Sequence, residues 1–161
     1  MSSDAHNDGI SASAEALAVA TSKTFADMAF IDAVPASPPE NPVDFSHILH
    51  IEFGEPNRGS LVLFLPIACK RLIVENVYGN DWSSLATEQI DDCLLEIINV
   101  LAGNLLDERF GSSKTYNLTL PRLLFDEQEL ASVGAEKAGS EHYFDAEGCL
   151  FKVFLEIGSP P

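Results

Sequence analysis

Positive charge is scarce in this chain. Nine lysines and arginines stand against 25 aspartates and glutamates, a formal charge of −16 over 161 residues. Binding to a phosphate backbone needs clustered Lys and Arg, so a nucleic-acid partner is excluded, and docking on anionic lipid is disfavoured. Cysteine is also sparse. Cys69, Cys93 and Cys149 are odd in number, widely spaced and without a C-x-x-C. That points to a reducing compartment with cysteines used as small hydrophobes. No apolar run approaches the ~18 residues of a membrane span. The opening MSSDAHNDG lacks a basic stretch followed by an apolar one, so no secretory leader is expected. Neither a G-x-x-x-x-G-K-[ST] nor a G-x-G-x-x-G is present, which leaves a nucleotide site without support. Ser83-Ser84 and Ser112-Ser113 lack the glycine elbow of a serine hydrolase. The four histidines, His6, His47, His50 and His142, are scattered, and no metal site is expected from them.

What is present is a 46% hydrophobic fraction, enough for a folded domain with a real core. Its clearest pattern is residues 87–110, TEQIDDCLLEIINVLAGNLLDERF. Leu94, Ile98, Leu101 and Leu105 recur at helical spacing, widened by Leu95, Ile97 and Ala102. At about 100° per residue, Asp92, Glu96, Asn99 and Gly103 fall together on the opposite side. Thr87 is the expected N-cap, and Arg109 with Gly111 suits the far end. Asparagine and glycine are poor helix formers, so their places in that outer row ask for a reason such as close approach by another surface.

Along the chain, residues 1–11 read as a disordered tail and 12–161 as one domain. A moderate helical stripe covers 12–29, and Phe30–Val34 could be a short strand. The four prolines of 35–42 read as an extended loop. FSHILHIEF (45–53) and SLVLFL (60–65) form an expected hairpin, with His47 and His50 on opposite faces. Pro66 opens a helix that ends at Gly79. A strand is expected over 114–121, residues 122–138 are ambiguous, and a final hairpin runs near 140–145 and 149–157. This hairpin is also a candidate sheet edge. The order predicts an α+β fold, an antiparallel sheet with long helices packed on it.

The run Glu96-Ile-Ile-Asn99-Val-Leu-Ala-Gly103-Asn104 resembles the E-x-x-N-x-x-x-G-N motif of the CheC/CheX/FliY chemotaxis phosphatases. Phe25-Ala-Asp-Met28, Gly59-Ser-Leu-Val-Leu-Phe-Leu65 and Asn117-Leu-Thr-Leu-Pro121 are similar to flanking segments of CheX in particular. The resemblance covers about 15–157. The CheC subgroup has a second E-x-x-N on its other long helix. Here Glu15 is followed three places later by Ala18, as in a single-site CheX-like chain.

The resemblance implies a CheX-like fold and a cytoplasmic phosphatase that hydrolyses the aspartyl phosphate of a CheY-like response regulator. Glu96 would pair with the regulator's lysine and Asn99 would orient the attacking water. Asp92 and Gly103, in the same row, are read as partner-binding. The Mg²⁺ would be the regulator's, so no cofactor of the chain's own is expected. A homodimer made by pairing sheet edges is implied as well. The alternative is a non-catalytic CheX-like module that binds a regulator or another signalling partner through the same face.

Overall fold

The computed structural model describes residues 2–113, 115–133 and 140–158. Four α-helices lie among them: α1 (Ser2–Ala29), α2 (Ile67–Tyr78), α3 (Thr87–Phe110) and α4 (Glu127–Ser132). Six strands, β1 (Ala33–Ala36), β2 (His47–Phe53), β3 (Gly59–Leu65), β4 (Arg122–Leu124), β5 (Ser140–Ala146) and β6 (Cys149–Ile157), form one antiparallel sheet in the order β1-β5-β6-β3-β2-β4. The fold is α+β, with the helices packed on an antiparallel sheet.

Period-two alternation sets the register. Leu49 and Ile51 lie opposite Leu63 and Leu61, and those two lie opposite Val153 and Leu155 on their other side. All six are buried in the main core, beneath α1, α2 and α3. A one-residue slip would turn this set to the other face, so the pairing is strongly specified. Among the described residues, the reverse face holds a small cluster. Val62, Phe64 and Phe154 are covered there by Phe45, Ile48, Leu130 and Val133.

Local chemistry explains the helix ends. Pro66 is extended and precedes α2, and Gly79 ends it in the left-handed region at φ 65°. α1 stops at Phe30, a non-glycine residue at φ 56° whose N–H donates to the Ala26 carbonyl. The Asn76 amide then donates to the carbonyl of Ala29 at 3.0 Å, so α2 satisfies one of the last acceptors of α1.

Five expectations need correction. The tail expected at 1–11 is helical from Ser2 onward. Residues 2–11 contain no proline, and a helix already fixed by buried Leu17 and Phe25 extends at little cost. Thr87 is the first helical residue, and the N-cap is Ala86, whose N–H donates to Gln89 Oε1 at 2.9 Å. The strand near Phe30–Val34 lies instead at Ala33–Ala36 and takes in Pro35, which is tolerated because β1 is an edge.

No continuous strand covers 114–121, and Lys114 lies outside the described residues. Leu118 makes a single bridge to Phe53, Thr119 Oγ1 accepts from the Glu52 N–H, and regular pairing begins only at Arg122. Pro121 has no N–H to give a ladder, which is why the strand starts after it. Within the ambiguous 122–138, β4 and α4 form, and 134–138 lie outside the described residues. The final hairpin is not an edge: β6 is central, β5 is covered by β1, and the edges are β1 and β4.

Candidate functional site

α3 is held so firmly that its outer row has a fixed address. Leu94, Ile97, Ile98, Leu101, Ala102 and Leu105 are all fully buried. Rolling the helix would expose several of them, each worth about 1.5–3 kcal/mol for a large aliphatic side chain. A polar contact fixes the helix along its length. The Asn104 amide donates to Thr24 Oγ1 at 2.9 Å, and Thr24 donates in turn to the Ala20 carbonyl at 2.7 Å. Arg109 Nε reaches Ser13 Oγ at 3.1 Å. Asn104 thus ties α3 to α1. The sequence motif contains it, but the residue that defines its role lies on the other long helix, eighty positions away.

On the other side, Asp92 and Glu96 are exposed and Asn99 and Gly103 are half-buried. The helical spacing therefore brings all four expected residues onto one solvent-facing row. Among the described residues, no hydrogen bond or ion pair joins the side chain of Glu96 or Asn99 to the rest of the chain. A carboxylate and a carboxamide thus stand one turn apart with their bonding capacity directed outward. Glu88, Asp107 and Glu108 are exposed on the same helix, so the local field attracts a cation.

Gly103 is informative by contrast with Gly59. A Cβ at Gly59 would collide with the Glu156 carbonyl and the Phe53 ring, so this strand start needs glycine for internal packing. A Cβ at Gly103 meets no heavy atom within 4 Å. Nothing inside the chain requires glycine there, although it costs a helix about 1 kcal/mol against alanine.

The other polar cluster is structural. Lys70 is 92% removed from solvent, at 8% exposure, and its Nζ hydrogen-bonds the His47 ring and lies 5.3 Å from the Trp82 ring centroid. Burial lowers the pKa of both Lys70 and His47, and Asp91 at the foot of α3 opposes the shift. His50 faces the reverse side of the sheet, beside Arg122 and Glu52, and burial lowers its pKa too. Among the described residues, no three His, Cys, Asp or Glu side chains converge as a metal-binding group. No helix there is long and apolar enough to cross a membrane.

Comparison with known proteins agrees with this geometry. The family model described as "Chemotaxis phosphatase CheX" matches residues 48–145. No curated protein matches the chain. Among solved structures, CheX from Desulfovibrio desulfuricans is similar at TM-score 0.69 and 16% identity, covering 91% of this chain and 99% of that one. The CheX–CheY–BeF3–Mg²⁺ complex from Borrelia burgdorferi gives TM-score 0.69 at 14% identity, covering 90% and 97%. CheX from Vibrio vulnificus gives 0.68 at 16%, covering 89% and 95%. At such identities the structures speak for the fold. The family model spans more than half of the sequence, including the whole of α3 and its outward row, and on that match the chain belongs to the CheX family of chemotaxis phosphatases.

Proposed function

We propose that the outer row of α3 hydrolyses the aspartyl phosphate of a CheY-like response regulator. The observation that carries this reading is the pair Glu96 and Asn99, adjacent on a rigidly anchored helix and without partners of their own in the described chain. Hydrolysis of an acyl phosphate needs positioning and charge stabilisation more than covalent chemistry. Asn99 can accept a hydrogen bond from a water through its carbonyl oxygen and donate to a phosphoryl oxygen through its amide. The water oxygen attacks phosphorus in line, the P–O bond to the aspartate breaks, and the carboxylate leaves with that electron pair. The water's proton passes to solvent or to the phosphate released. Glu96 pairs with a lysine of the regulator, which orients the two proteins and holds that ammonium in place. Asp92 extends the acidic contact. Mg²⁺, which screens phosphoryl charge in such reactions, would be the regulator's own, and the chain supplies no cofactor.

The test is the decay of a phosphorylated CheY-like regulator from the same organism, with and without this protein. Faster decay supports hydrolysis. Unchanged decay with retained binding, repeated over the organism's regulators, favours the non-catalytic binding module instead.

Gly103 gives a second test of the same face. Gly103→Ala is expected to stabilise the isolated protein by up to about 1 kcal/mol. It is also expected to weaken regulator binding by about 1–3 kcal/mol, roughly fivefold to 150-fold, because the added methyl intrudes on a close contact. Thermal melting and a binding titration on the one variant check both signs, and unchanged affinity would remove the close-approach role.

A homodimer formed through a sheet edge belongs to the same proposal. β4 is the better edge, since Leu120 and Phe125 flank it at 90% and 80% exposure. Sedimentation equilibrium is expected to return twice the chain mass, and a monomer across the concentration range would remove the proposal.

A further inference from the structure

The fold brings together two cysteines that the sequence keeps far apart. Cys69 lies in the first turn of α2 and is buried, and Cys149 opens β6 directly after the hairpin turn and is partly exposed. The Cys69 thiol donates to the carbonyl oxygen of Leu150, the residue next to Cys149, at 3.6 Å, and after burial Cys149 is the group that acts most strongly on that thiol. Both pack in the same apolar cluster between α2 and the sheet. Cys93, the third thiol, is on α3 and is not among the groups acting on Cys69.

We propose that Cys69 and Cys149 form a reversible dithiol–disulfide pair whose oxidant is a small-molecule disulfide. Cys149, the accessible thiol, attacks first as its thiolate. The S–S bond of the oxidant breaks, one thiolate leaves and takes a proton from water, and Cys149 carries a mixed disulfide. Cys69 then loses its proton and attacks the Cys149 sulfur, and the second small thiol leaves. The protein has lost two hydrogens and two electrons, and the oxidant has gained both. Burial and the neighbouring Cys149 and Asp145 push the Cys69 thiol well above the ordinary range, so it stays protonated and inert towards solutes at neutral pH. Its reaction therefore waits on capture of Cys149, and this second step accelerates as the pH is raised. The closed bond ties the start of α2 to the start of β6 and constrains the unfolded chain over a long loop.

The experiment treats the full chain with oxidised glutathione and reads intact mass, free thiols and a peptide map. The expected result is a loss of two hydrogens and a fall from three free thiols to one, with Cys69 joined to Cys149. Dithiothreitol should reverse it, and the oxidised form should melt higher than the reduced one. Cys69→Ser should instead accumulate a glutathione adduct on Cys149, and Cys149→Ser should remain unmodified at Cys69. Three free thiols after treatment, a persistent adduct on Cys149 in the unsubstituted protein, or a bridge that includes Cys93 would each overturn the proposal. None of these outcomes depends on phosphatase activity.

Discussion

Asn99→Ala is expected to lower regulator dephosphorylation by about 10²–10³-fold, the usual loss when one preorganised hydrogen-bonding group is removed from a site. Binding should change little, because the truncated side chain is half-buried at the edge of α3 and supports none of the core contacts. Folding should be unaffected or slightly improved, since alanine is the better helix former. Glu96→Ala should behave differently. It removes a charge-assisted pair to the partner's lysine, so its loss should fall mainly on affinity, be larger at low salt and shrink as salt is added. Measured together as phospho-regulator decay at saturating and sub-saturating protein, the two variants separate water positioning from docking. Equal loss of affinity in both, with decay at saturation unchanged, would assign the face to binding alone.

The site row was legible because a helix converts sequence spacing into geometry without help from elsewhere. Glu96, Asn99 and Gly103 had to lie together once Leu94, Ile98, Leu101 and Leu105 were placed inward; those four are buried, as are Ile97 and Ala102, whereas Leu95 is only partly buried and Ile90 and Leu106 join the buried set. Strands β2, β3, β5 and β6 were legible for a similar reason, since alternation or an unbroken apolar run marks them locally. What escaped depends on contacts between distant segments. Neither β1 nor β4 has a pattern of its own. Both are short, lie next to or include proline, and exist because β5 and β2 offer them an edge. The same reasoning explains why the final hairpin was misplaced at the rim: strand order is a property of the assembled sheet. Asn104 and the Cys69–Cys149 contact are further cases, each defined by a partner from another element.

Phe151→Ala is expected to cost about 3–5 kcal/mol of stability, from the ring's transfer and the void it leaves. Phe151 is fully buried and is the middle of a three-ring stack. Its centroid lies 4.8 Å from Phe25 and 5.4 Å from Phe144, each pair inclined by 19°. The void cannot close easily. Phe144 is fixed in the β5–β6 ladder directly opposite Phe151, and Phe25 is fixed at the end of α1 by the turn at Phe30. A loss of this size is a large share of the roughly 5–15 kcal/mol that holds a domain of this kind together. Urea denaturation should show a much lower midpoint, while Val19→Ala, on the exposed side of α1, should stay within about 0.5 kcal/mol of the parent. The contrast with Asn99→Ala is the useful part. Phe151 touches α1 and the sheet rather than the outer row of α3, so the Phe151→Ala protein that remains folded at low temperature should retain its turnover per folded molecule. A Phe151→Ala protein that is folded by circular dichroism yet inactive would show that the stack also sets the position of α3, acting through α1 and the Thr24–Asn104 contact.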